Sequence, residues 1–173
     1  MQKNKTEDLV KKAKSKDPDA FSQLMQLYKK DMYRVALAIL MNDEDTADAI
    51  QDTMLTCWEK IHNLRQIEYF KTWMTRILIN KCYDIRRKRE LTISLGEYEE
   101  LAEEDNYNLE LKEALSTLND KYRIILTLFY SEGYHIDEIA RILKLPKSTV
   151  QTRLQRGREN LAKNYYRENE RRK

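Results

Sequence analysis

Between Lys147 and Arg158 the chain carries side chains suited to reading base-pair edges. Gln151, Gln155 and Arg156 offer the paired groups that match adenine and guanine edges, and Ser148, Thr149 and Thr152 offer hydroxyls that suit either. Lys147, Arg153 and Arg158 flank this set and suit phosphates. Wound as a helix, Val150, Leu154, Gly157 and Leu161 fall on one side, while Ser148, Gln151, Thr152, Gln155, Arg156 and Glu159 fall on the other. Just before them, Ile136, Ile139, Ala140 and Leu143 mark a short helix with an inward stripe, and KLP makes a tight connection. Pro146 stands before or at the start of the new helix, where its missing N–H costs nothing, and Ser148 or a neighbour can cap it. The pattern predicts a helix-turn-helix, although a purely structural helical hairpin would share it.

A second set of such residues lies between Phe70 and Arg89. Phe70, Met74, Ile77, Leu78, Cys82 and Ile85 form the apolar side of a helix, and Thr72, Arg76, Asn80, Tyr83 and Arg87 form another, with Trp73 at its edge. Cations neutralise phosphates and aromatic rings stack on unpaired bases, so this face suits a single strand better than a duplex. An ordinary amphipathic helix with a basic exterior also fits. A third set is acidic. In the helix after MNDED, which Asp43 or a neighbour can cap, Ala47, Ile50, Met54, Trp58 and Ile61 share one side. Asp45, Asp48, Asp52 and Glu59 share the far side. Such a stripe would repel DNA and suits a basic protein surface, or simply water.

The elements that hold these faces are helical. The 173 residues contain only three Gly and two Pro, too few turn formers for an all-β fold, while 41% apolar residues suffice for a core. Phe21, Leu24, Met25, Leu27 and Tyr28 recur at helical spacing, as do Met32, Val35, Ala36, Ile39 and Leu40. Further on, Leu111, Ala114, Leu115 and Leu118 begin a helix that breaks near Asn119, and Tyr122, Ile125, Leu126 and Phe129 carry another stripe. Net charge is +3, but it is +5 over 1–89, −9 over 90–120 and +7 over 121–173. Two basic parts flanking an acidic one favour nucleic-acid contact by the basic parts. The expectation is an all-α chain of two small helical domains, 1–89 and 109–173, joined by an acidic linker over 90–108.

Other chemistries find little support. Cys57 and Cys82 have no metal-ligand spacing and fall on or near core faces, His62 and His135 stand alone, and no constellation suits acid–base or metal catalysis. No enzymatic site, cofactor, metal or small-molecule substrate is expected. Met25, Met32, Met54 and Met74 read as core filler. The N-terminus lacks the apolar stretch of a signal peptide, and no run approaches the roughly 20 apolar residues of a membrane span, so a cytoplasmic location is expected.

The whole chain resembles the extracytoplasmic-function group of bacterial sigma factors in the sigma-70 family. DAFSQLMQLYKKDMYRVALAIL and DTADAIQDTMLTCWEKI resemble region two, FKTWMTRILINKCYDIRRKR resembles its minus-ten-capturing part, and LSTLNDKYRIILTLFYSEGYHIDEIARILKLPKSTVQTRLQRGRENL resembles region four. The resemblance implies that Asp48, Gln51 and Asp52 dock on the clamp coiled coil of core RNA polymerase, whose flap is a further contact. It implies that Asn80 holds a promoter base, with Trp73 and Arg76 on the same helix. It also implies that the loop from Asn63 to Tyr69 takes up a flipped base. Relatives often carry a Phe-Arg-Gly-type sequence in that loop, where this chain has Asn63, Leu64, Arg65, Gln66 and Ile67, so the base identity differs or stays open. Gln151, Thr152, Gln155 and Arg156 match the part that reads the minus-thirty-five element. The acidic linker matches the segment that threads the polymerase, and no third domain or acidic N-terminal extension is seen. The implied function is promoter-specific initiation of transcription in an extracellular or envelope stress response. A membrane-tethered anti-sigma factor would hold the protein inactive at the inner face of the membrane. The alternative is an ordinary helix-turn-helix regulator that acts without polymerase, as a dimer on a symmetric target.

Overall fold

The computed structural model describes residues 2–94, 113 and 115–171, which contain seven α-helices and no strand. Four helices make a bundle: α1 (Gln2–Lys14), α2 (Pro18–Leu40), α3 (Asp43–Lys60) and α4 (Phe70–Ser94). Asp17 starts α2 by accepting hydrogen bonds from the Asp19 and Ala20 amides, with Pro18 in the first turn where its absent donor is not missed. α2 stops at Met41, a left-handed residue with φ 52°, and Asn42 caps α3 through the Asp45 amide. Two short 3₁₀ turns, Ile61–Asn63 and Ile67–Tyr69, carry the chain into α4.

Leu24, Met32, Leu37, Phe70, Met74 and Leu78 are fully buried between these helices, with Tyr28 and Trp73 against the Phe70 ring at centroid distances of 5.7 and 5.9 Å. Each such side chain contributes about 1.5–3 kcal/mol of burial energy. The buried stripe of α3 is Thr46, Ala49, Ile50, Thr53 and Cys57. This corrects the expected inward position of Ala47, which is exposed. α3 is rolled so that small side chains meet α2 and α4, and Leu55, 64% exposed, faces out. Cys57 and Cys82 are free, buried thiols whose pKa burial pushes up to about 12.

The second unit comprises α5 (Asp120–Leu126), α6 (Ile136–Leu143) and α7 (Lys147–Arg171). Leu111, Ala114 and most of the acidic linker lie outside the described residues, and α4 continues past Arg89 to Ser94. A π-helical turn, Thr127–Ser131, follows α5, and Gly133, with φ +74°, takes the backbone into a conformation that side-chain-bearing residues rarely adopt. α6 ends at left-handed Lys144, and the Leu145 amide bonds back to the Ala140 carbonyl, making the tight turn into α7. Val150 and Leu154 are buried beneath α7, whereas Leu161 is half-exposed. At Gly157 the helix lies so close to α5 that a Cβ would meet Leu126 Cδ1 at 2.9 Å and Tyr122 Cβ at 3.3 Å.

The two units share one core. Arg123, almost fully buried, donates from Nε to the Ala38 carbonyl at 2.7 Å. That carbonyl belongs to the last turn of α2, which lacks intrahelical donors, and the guanidinium also suits the negative end of the helix dipole. Asp120 holds the other side of the same guanidinium. Tyr134 and Thr75 share a buried hydroxyl hydrogen bond of 2.8 Å. Glu132 meets Arg34 Nε at 2.9 Å and Lys71 Nζ at 3.4 Å.

Gly157→Val is expected to destabilise the protein by at least about 2 kcal/mol, because Leu126 is buried and the Tyr122 Cβ is fixed to its backbone. Denaturant unfolding of the variant, compared with the parent, measures it.

Candidate nucleic-acid interface

The turn at Lys144 swings α7 so that its apolar side is spent on α5 and α6 and its other side faces solvent. Lys147, Ser148, Gln151, Thr152, Gln155, Arg156 and Arg158 are exposed, and Thr149 and Arg153 are half-buried. Several of these groups are already engaged. Lys147 pairs with Asp137 at 2.8 Å, and Thr152 bonds to the Ser148 carbonyl at 2.9 Å. Gln155 bonds to Glu159 at 3.2 Å. Arg158 donates to the Tyr130 hydroxyl at 2.5 Å and lies over the Phe129 and Tyr130 rings. Among the described residues, Gln151 and Arg156 have no side-chain partner, which leaves them free for an outside ligand. Beside them lies a groove of about 330 Å³ lined by Lys121, Tyr122, Ser148, Thr149, Thr152, Arg153 and Arg156. Its concentration of cations and hydroxyls is what a phosphate backbone requires. Lys121 was not singled out in the sequence, and Tyr122 was read only as part of an apolar stripe. The Asn119 cap signals the start of α5, but nothing local says that this start abuts α7.

On the bundle, Arg76, Asn80 and Arg87 are exposed along α4, and Thr72, Trp73 and Tyr83 are half-buried. Burial raises the Tyr83 phenol above its ordinary range, against the pull of the Arg86 guanidinium lying over its ring at 5.6 Å. The loop before α4 exposes Asn63, Arg65 and Gln66. Leu64 is the correction: it is 6% exposed and belongs to the core, so its side chain presents nothing to a nucleic acid. Its carbonyl accepts a 2.6 Å hydrogen bond from Lys14 Nζ, which ties the loop to α1.

The acidic face of α3 presents Asp48, Gln51 and Asp52 to solvent around Leu55. Asp45, on the same stripe, is consumed by a 2.8 Å ion pair with Arg89. The candidate face on α4 and that on α7 are not independent: Tyr83 and Arg86 line one cleft of about 510 Å³ together with Asp120, Lys121 and Arg153. Among the described residues, no group of three or more His, Cys, Asp or Glu could hold a metal, and no helix is long and apolar enough to cross a membrane.

An all-helical bundle joined to a helix-turn-helix unit whose outer helix face is polar and cationic defines a DNA-binding class of protein. Family models match in the same places: Sigma-70 region 2 over residues 24–92 and Sigma-70 region 4 over residues 108–161. ECF RNA polymerase sigma factor SigW of Bacillus subtilis is 30% identical over 174 residues, covering 89% of this chain and 93% of that protein. RNA polymerase sigma factor SigV of the same organism is 31% identical, covering 75% and 81%. The solved structure of CnrH in complex with the cytosolic domain of CnrY aligns at TM-score 0.69 and 23% identity, over 93% of this chain and 97% of that one, a likeness of fold. RpoE of Bartonella quintana, solved with the anti-sigma factor NepR, aligns at TM-score 0.69 and 26% identity, over 83% and 94%. The chain belongs to the ECF family of RNA polymerase sigma factors.

Arg156→Ala is expected to lose roughly 1–3 kcal/mol of binding to the specific upstream promoter element, with little effect on unrelated duplex. Gel-shift titration on both duplexes reads it, and an equal loss on each would mean a phosphate contact only.

Proposed function

We propose that this chain binds core RNA polymerase through α3 and directs it to promoters by reading DNA with α4 and α7. The observation that carries the proposal is the presence of both sigma regions, in order, on one chain whose matching helices expose separate acidic and cationic faces. It is a binding factor, and phosphodiester chemistry belongs to the polymerase. Asp48, Gln51 and Asp52, with Leu55 among them, form the polymerase contact. Gln151, Thr152, Gln155 and Arg156 read the minus-thirty-five element in the major groove, with Lys147, Ser148, Thr149, Arg153, Arg158 and Lys121 toward the backbone. Asn63, Arg65 and Gln66 receive an extruded minus-ten base. Unstacking costs a few kcal/mol per step, which a base-accepting site offsets. Thr72, Trp73, Arg76, Asn80, Tyr83 and Arg87 follow the separated strand.

An anti-sigma factor is the proposed inhibitor, supported by two proteins of the same fold, one solved with the anti-sigma factor NepR and one with the cytosolic domain of CnrY. Tethering of that partner to the membrane would hold this chain at the cytoplasmic face.

Run-off transcription with sigma-free core polymerase, on the promoter of the chain's own gene, tests the reading. A discrete transcript that depends on the protein is the expected result. Neither a transcript nor binding to core would overturn it. In the same assay Asp52→Lys is expected to abolish polymerase binding while the circular dichroism spectrum stays helical, and retained binding would remove α3 from that role.

A further inference from the structure

The polar face of α7 has a cation on each edge. At about 100° per residue, Thr152 and Gln155 fall in the middle of that face, Arg153 falls at one edge, and Arg158 falls roughly 20° beyond Gln151 at the other. A helix lying in the major groove has a phosphate backbone on either side of it. Lys121 and Tyr122 complete the first edge, in the groove that Arg153 and Arg156 also line. The second edge is completed by Tyr130, a ring 59% exposed that stands outside the core.

Arg158 is held at that edge in an unusual way. Lys147, on the same edge, faces Asp137 at 2.8 Å and has its charge neutralised there. Arg158 has no carboxylate partner among the described residues. Its Nε donates to the Tyr130 hydroxyl at 2.5 Å, and its guanidinium lies 5.6 Å from the centre of the Tyr130 ring and 5.7 Å from that of Phe129. The two rings meet edge-on at 5.0 Å, both come from the π-helical turn Thr127–Ser131, and Phe129 is half-buried. A carboxylate would fix the guanidinium by cancelling its charge. A phenol and two rings fix it and leave the charge whole. The Nη groups have no partner among the described residues, and they are the donors that a paired contact with a phosphate requires. A free arginine loses rotamer freedom when it takes hold of a phosphate, whereas here that freedom is already restricted before DNA arrives.

We propose that Arg158 is a preorganised clamp for a phosphate of duplex DNA, on the edge of α7 opposite Lys121, and that Tyr130 is the residue that positions it. The inference rests on the reading of α7 as the DNA-facing helix and adds Tyr130 to the residues that serve it.

The test is fluorescence-anisotropy titration of the full chain against a labelled duplex of mixed sequence, over a range of salt concentrations and without polymerase. A phosphate contact is independent of sequence, so no promoter is needed. In a plot of log affinity against log salt, Arg158→Gln is expected to be shallower than the parent by about 0.9, the loss of one neutralised phosphate. Tyr130→Phe keeps the ring and the cation but removes the hydroxyl. It is expected to bind about two- to tenfold more weakly with the slope unchanged. In the Arg158→Gln background the same Tyr130→Phe change is expected to cost nothing further. A slope unchanged by Arg158→Gln, or a parent that binds no duplex at low salt, overturns the clamp. No loss in Tyr130→Phe, or an equal loss in both backgrounds, overturns the positioning role. If Tyr130→Ala weakens binding to core polymerase and leaves duplex binding intact, the surface belongs to a protein contact and the proposal falls. Because duplex affinity is read without polymerase or promoter, a failed run-off assay would strike the sigma reading and leave this result standing, and an unchanged slope would strike the clamp alone.

Discussion

A carboxylate removed from water, with the cations that neutralise it on the other half of the chain, is the constraint around which this molecule is arranged. Glu132 reaches that position because the backbone widens into a π-helical turn after α5 and then bends at Gly133. Without that extra width the chain would continue as an ordinary helix and Glu132 would point elsewhere. Tyr134, two residues on, lands on Thr75 by the same device. Arg123, one helical segment earlier, supplies the missing donor at the end of α2. Three polar contacts of different kinds thus fall along one seam, and the apolar residues around them merge two small cores into one.

Pooling cores matters for a chain of this size. Neither unit alone offers much interior, and small domains bury a smaller share of their surface. Docked, Ile39 of α2 shares a cleft lining with Ile124, Leu143 and Leu145 of the second unit. Those four apolar side chains tie the end of α2 to the second unit.

Most of the helices were legible from spacing, because apolar residues at three and four positions apart leave few alternatives. The face of α7 was equally plain, since Val150, Leu154 and Gly157 fall on one side of an otherwise polar helix. What escaped was everything that depends on one unit meeting the other. Thr75 is buried on α4, and its hydroxyl finds its partner in Tyr134 of the second unit. Glu132 and Arg123 look like surface charges in a polar context, and no periodicity marks a charged residue whose counterion lies about a hundred residues away in Arg34, or a donor whose acceptor is the carbonyl of Ala38. Ala47 and Leu64 failed differently. α3 uses threonines and a cysteine as its inner stripe, so weighting large apolar residues turned the expected face too far, and a leucine in a polar loop was read with its neighbours although it anchors that loop.

The ion pair between Arg89 and Asp45 has a geometric meaning beyond its small energy. Arg89 stands near the end of α4, and Asp45 lies one turn ahead of Asp48 at the start of α3. The end of α4 is thereby stapled to the start of α3, so the direction in which the chain leaves the bundle is set by the helix that carries Asp48, Gln51 and Asp52. A change in the tilt of α3 would carry the far end of α4 with it.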